Sequence, residues 1–144
     1  MLERFAMIKI TKERSVSIND VLHLYQAVGW TNYTHQPEML EQSLAHSLAI
    51  YVARDDEEII GLVRLVGDGF SSVFVQDLIV LPSYQRQGIG SNLMKEALAD
   101  YKDAYQIQLA TEQTEKTLGF YRSLGFETLS TYDCIGMIWV DRKK

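Results

Sequence analysis

The chain has 144 residues, 47% of them apolar, and 14 Lys plus Arg against 19 Asp plus Glu give a formal charge of −5. This length suits one domain, residues 1–144, with a core of its own, and the composition excludes wholesale disorder. An acidic chain without a basic stripe argues against a nucleic-acid partner, and one cysteine, Cys134, excludes an intramolecular disulfide framework and a cysteine-built zinc site.

No apolar run is long enough to cross a bilayer. The N-terminal MLERFAMIKI carries charges where a secretory signal needs an apolar stretch, so a soluble cytoplasmic domain is the expectation.

Residues 5–11 read as a first strand. Ile18, Val21, Leu22, Tyr25 and Val28 then share one helical face. Ser17 and Asp20 have the spacing of a capping box, and Gly29 is a stop. A second helix begins at Pro37, a residue suited to a first turn, and runs to about Ser47. Residues 49–54 and 59–66 form strands around the acidic turn Asp55 to Glu58, and Gly67-Asp68-Gly69 is a further turn. Residues 73–81 are apolar nearly throughout, which predicts a central strand covered on both faces, ended by Pro82.

The clearest helix covers residues 88–102, with Ile89, Leu93, Met94, Ala97, Leu98 and Tyr101 on its apolar face. Residues 105–110 alternate as a strand, and 114–124 form a helix closed by Gly125. Residues 126–131 and 134–140 complete the pattern as two strands, in which Cys134 is an inert buried thiol. The order β-α-α-β-β-β-α-β-α-β-β describes an α/β fold with a mixed sheet.

The segment from Gln76 to Leu98, QDLIVLPSYQRQGIGSNLMKEAL, carries the chemistry. A strand stops at a proline, a short polar loop follows, and Gly88-Ile89-Gly90 opens a helix. Such a turn aims backbone N–H groups and the positive helix end at one point, which suits a phosphate. A P-loop requires a lysine after the second glycine, and a dinucleotide fingerprint requires a third glycine where Leu93 stands. Both are absent. What remains is Gln85-Arg86-Gln87-Gly88-Ile89-Gly90.

That hexapeptide, with Val80, Pro82 and Tyr84 before it, resembles the acetyl-CoA motif of the GNAT (GCN5-related) N-acetyltransferases. Phe120-Tyr121-Arg122-Ser123-Leu124-Gly125-Phe126 is similar to the family's C-terminal motif. The resemblance covers essentially the whole chain, and the Gln76–Gly90 run also looks like the family's plastid serotonin-acetylating branch. It implies acetyl-CoA as co-substrate and no metal. Leu78, Ile79 and Val80 would line the pantetheine as an added strand does. Gln85, Arg86, Gln87, Gly88, Ile89, Gly90 and Ser91 would hold the pyrophosphate, and Tyr121 would sit near the sulfur. Thr114 stands where many relatives have an asparagine that meets the cofactor; its hydroxyl can bond to the pantetheine arm or cap the helix.

The reaction sets the remaining roles. A neutral amine must attack a thioester carbonyl, so a proton must be removed. The oxyanion needs a donor, for which a backbone N–H of residues 78–80 is suited. The departing thiolate gains from a proton, the role the family suggests for Tyr121. Asp77 interrupts an apolar strand beside the cofactor segment, where desolvation would make it a better base; Glu112 and a water wire are rivals. A buried structural carboxylate bonded to backbone amides is the alternative reading of Asp77. Trp30 and Tyr33 offer an aromatic wall for an amine acceptor, or ordinary packing.

Acetyl transfer to a small-molecule amine, directly within a ternary complex, is the expected activity. A non-catalytic acyl-CoA-binding sensor is the alternative. The exposed edges of the terminal strands leave room for a homodimer.

Overall fold

The computed structural model describes residues 7–141. They fall into two compact units, the first ending at Leu109 and the second beginning at Ala110. The first unit holds a five-stranded sheet in the order β1-β2-β3-β4-β5, made of β1 (Ile8–Glu13), β2 (Ala49–Asp55), β3 (Glu58–Gly67), β4 (Ser72–Val80) and β5 (Gln106–Leu109). The first four strands run antiparallel, and β5 is parallel to β4. Phe5, at the start of the expected first strand, lies outside the described residues.

Four helices belong to this unit: α1 (Ile18–Ala27), α2 (Thr31–Thr34), α3 (Pro37–Ala45) and α4 (Ile89–Asp100). Ser17 caps α1 by accepting the Asn19 N–H at 3.2 Å, while Asp20 lies in the first turn near the positive helix end. Gly29 takes φ +70°, which releases the chain into the short α2, an element with no sequence period of its own.

Strands β2 and β3 are buried on both faces. Leu62 joins Val21, Leu24, Tyr25, Leu40 and Leu44 in the core beneath α1 and α3. On the opposite face, a side chain at Gly61 would meet Leu93 of α4 at 3.3 Å. Burial of β4 alternates instead: Val73, Val75, Asp77 and Ile79 are buried, and Phe74, Gln76, Leu78 and Val80 are partly or fully exposed. The expectation that this strand is covered on both faces is therefore corrected, and apolar content alone did not separate a two-sided strand from its half-covered neighbour.

The second unit contains α5 (Glu115–Ser123), a 3-10 turn over Leu129–Tyr132, and a following stretch without strand pairing. The two strands expected over residues 126–131 and 134–140 are absent here. A strand exists by its ladder with a neighbour, and among the described residues neither segment has one. Cys134 is correspondingly exposed, not buried. No helix among the described residues is long and apolar enough to cross a membrane.

Candidate active site

Two features of the first unit converge on the end of β4. The first is a β-bulge. Arg64 faces Asp77 across the β3–β4 ladder, but Leu65 faces Val75, so Gln76 is an extra residue in β4. Pairing between β4 and β5 covers only Ser72 to Val75. From Gln76 to Val80 the β5-side edge of β4 has no strand partner among the described residues. Unpaired N–H and C=O groups along such an edge are a template for an extended ligand.

The second feature is the loop that follows. Residues Pro82–Tyr84 make one 3-10 turn, and the Gln85 side chain ties back to the Val80 carbonyl at 3.0 Å. Arg86 then takes φ +65° and Gly88 φ +79°, both left-handed. Gly88 is the N-cap of α4, and no side chain caps that helix. The first backbone N–H that bonds within the helix is that of Asn92, to the Gly88 carbonyl at 3.0 Å. The N–H groups of Ile89, Gly90 and Ser91 thus point out of the helix end, where they and the helix dipole favour an anion. A Cβ on Gly88 would meet nothing within 4 Å. The glycine is therefore required by its backbone angle and by open approach, not by packing.

Asp77 is 2% exposed and is gripped by three donors. Tyr25 and Tyr33 donate their hydroxyls to its two oxygens at 2.9 Å each, and Arg64 Nε donates at 2.7 Å. Burial pushes both phenols above their ordinary pKa, and the neighbouring carboxylate adds to this. Burial works against the Arg64 charge, but Asp77 beside it holds the guanidinium above its usual value. Arg64 also reaches the Tyr33 hydroxyl at 3.0 Å and Ser47 at 3.3 Å. The cluster joins α1, α2 and β3 to the residue next to the bulge. Its carboxylate is bonded to side chains, not to backbone amides. Arg64 and Tyr25 were not singled out by sequence reasoning. A signal was available: one charged residue interrupts each of two adjacent apolar strands, and a hairpin lets two such residues face each other.

Tyr33 is buried, its ring 5.0 Å from that of Tyr25, with the hydroxyl committed to Asp77. Trp30 is half-buried, with its ring 6.3 Å from that of Tyr33. His23 bonds to the Ile59 carbonyl at 2.7 Å. Among the described residues no group of three His, Cys, Asp or Glu side chains is placed to hold a metal.

In the second unit, Thr114 caps α5 by accepting the Thr117 N–H at 3.2 Å. Tyr121 packs edge-on against Phe120 and Phe126, with ring centres 5.0 and 5.9 Å away. Burial raises its phenol above the ordinary value, and the bonded Thr111 side chain offsets part of that rise. Glu112 is exposed.

A family described as an acetyltransferase (GNAT) domain matches residues 46–128, a span containing both the open edge and the loop. The chain belongs to the GNAT acetyltransferases. A GNAT-family acetyltransferase protein of Streptococcus pneumoniae TIGR4 is 72% identical, with a TM-score of 0.88 over 94% of this chain and 99% of that one. Serotonin N-acetyltransferase 2 of Oryza sativa subsp. japonica, a chloroplastic protein, is 32% identical over 63% of this chain and 48% of its own length. GCN5-related N-acetyltransferase 1 of Arabidopsis thaliana, also chloroplastic, is 26% identical over 90% of this chain and 65% of its own. This GNAT chain thus spans about half to two thirds of the length of those two relatives. An aminoglycoside N-acetyltransferase in complex with CoA shares the fold at 18% identity and a TM-score of 0.65.

Proposed function

We propose that this GNAT chain moves an acetyl group from acetyl-CoA to a primary amine by direct transfer in a ternary complex. The observation that carries the reading is the continuity of the open β4 edge, Gln76 to Val80, with the uncapped N-terminus of α4. One element offers backbone partners to a pantetheine amide chain, and the next offers N–H groups to its pyrophosphate. Family membership and the CoA bound by a fold relative support the same donor.

The chemistry follows from these groups. The amine must lose a proton before or during attack, and its lone pair then adds to the thioester carbonyl carbon. A backbone N–H of Leu78–Val80 stabilises the oxyanion without reorganising, because the strand is already held by the Asp77 cluster. Collapse expels the CoA thiolate; the Tyr121 phenol gives it a proton, and the proton shed by the amine returns through water to the phenolate. The raised pKa of Tyr121 keeps that proton in place at neutral pH. Asp77, enclosed by three donors, is assigned to holding the strand; the amine proton leaves through water or Glu112. Gln85 to Ser91 hold the donor's phosphates, and Thr114 serves by capping α5.

For the acceptor we propose a small cationic amine. The charge of −5 draws a cation, and Trp30 is half-exposed for an aromatic contact. The relative named for serotonin supports an arylalkylamine within that class. The test is thiol release from acetyl-CoA against polyamines, arylalkylamines, amino acids, aminoglycosides and short peptides. Amine-dependent release by one small-molecule class is expected. Acetyl-CoA binding with no release for any amine would replace the reading with an acyl-CoA sensor.

A further inference from the structure

The bulge in β4 sets one more polar side chain beside the open edge. In a regular strand neighbouring side chains point to opposite faces. Gln76 and Asp77 are neighbours, yet both reach the Tyr33 hydroxyl. Asp77 Oδ1 accepts from it at 2.9 Å, and Gln76 Nε2 donates to it at 3.5 Å, the longest of its three contacts. The extra residue in β4 puts the two side chains on one face.

The partners of Tyr33 fix which way the Gln76 carboxamide faces. A tyrosine hydroxyl has one proton to give and two lone pairs to fill. Tyr33 gives its proton to Asp77 and accepts from Arg64 Nη2 at 3.0 Å. One lone pair is left, and only a donor can meet it, so Gln76 turns its Nε2 inward. Its Oε1 has no hydrogen-bond partner among the described residues of the first unit. The Arg64–Asp77–Tyr33 cluster thus holds a hydrogen-bond acceptor at the first residue of the open edge, Gln76 to Val80.

We propose that Gln76 Oε1 accepts a hydrogen bond from the attacking amine and thereby selects a primary amine as acceptor. The proposal rests on the acetyl-transfer reading, in which the thioester carbonyl bonds a backbone N–H of Leu78–Val80. Two residues of extended chain cover about 6–7 Å, a gap that the glutamine side chain and an amine nitrogen bonded to it can close together. A neutral primary amine carries two hydrogens. One bonds to Oε1 and stays on nitrogen in the amide product. The other leaves as the C–N bond forms and the C–S bond breaks, and it returns through water to the Tyr121 phenolate that protonated the thiolate. An alcohol or a secondary amine has a single hydrogen and must surrender it, so neither keeps the Gln76 bond through to product. The bond strengthens during attack, when nitrogen gains positive charge, so it favours the transition state over bound substrate. Gln76 positions the amine and takes no proton from it.

Thiol release from acetyl-CoA with tryptamine, spermidine and kanamycin as acceptors tests this on the wild type, Gln76→Leu and Gln76→Glu. Leucine removes the acceptor oxygen, and glutamate keeps one. For the amine that the wild type uses, Gln76→Leu should lower kcat/KM about 10- to 100-fold, the effect of one hydrogen bond to a charged group. Acetyl-CoA affinity by calorimetry and the thermal midpoint should stay at wild-type values. Gln76→Glu should recover most of the lost transfer. Unchanged transfer in Gln76→Leu, equal loss in both variants, or a parallel loss of acetyl-CoA affinity would each overturn the role of Gln76 and leave acetyl transfer standing. No release by the wild type with any of the three amines would overturn both.

Discussion

Tyr121 keeps its proton because burial disfavours the phenolate. Its assignment as the acid gives a defined expectation. Tyr121→Phe removes one oxygen while keeping the ring between Phe120 and Phe126. The transfer rate should fall about 10²-fold, the low end for a lost general acid, with acetyl-CoA affinity unchanged by calorimetry. The sign of the pH effect follows from the direction of the shift. A phenol raised above its ordinary value of 10.0 stays a donor below that pH. No alkaline fall in rate from this group should therefore occur below about pH 10, the ordinary tyrosine value. Gly88 makes the opposite case, where adding atoms is the test. Its φ of +79° disfavours any side chain, and a branched one would stand in the open approach to the α4 N–H groups. Gly88→Val should abolish acetyl-CoA binding by calorimetry while the circular dichroism of the sheet and helices persists.

At the scale of elements, the Arg64–Asp77 pair fastens β3 and β4 beside the bulge, and α1 and α2 close over it through two tyrosine hydroxyls. Removing one partner leaves a buried charge with lost compensation, which costs about 3–5 kcal/mol. Arg64→Leu should lower the denaturation free energy by that amount in a urea titration. Most elements were legible because their signals are local. Ser17 marks the start of α1, Pro37 that of α3, and Gly88 that of α4; the period-3.6 face of α4 is buried at Ile89, Leu93, Met94 and Ala97 as its spacing requires. The bulge at Gln76 was not legible. Its sequence, VFVQDLIV, reads as an ordinary strand, and the extra residue exists only in the register against β3. The Asp77 cluster was half legible: the buried carboxylate was read from its apolar neighbours, while its partners come from elements 13 to 52 positions away in sequence.

For the molecule as a whole, the family was legible from two motifs about thirty positions apart, and the matched span bears this out. The C-terminal stretch was misread: residues 134–140 have strand composition, but composition cannot supply the ladder partner a strand needs, and among the described residues there is none. The net charge of −5 belongs to this scale too, since the proposed cationic acceptor would be attracted by it over long range. The second-order rate constant for such an amine should fall as salt rises from about 0.01 to 0.15 M, because the Debye length shrinks from about 30 to 8 Å. Saturated turnover should change little. In the proposed function, acetyl-CoA completes the unpaired edge of β4 and occupies the start of α4. Amide hydrogen exchange with and without acetyl-CoA addresses it most directly. New protection is expected at residues 76–80 and 86–91, with β1 and β2 unchanged. Saturable acetyl-CoA binding that leaves exchange at both segments unaltered would contradict it.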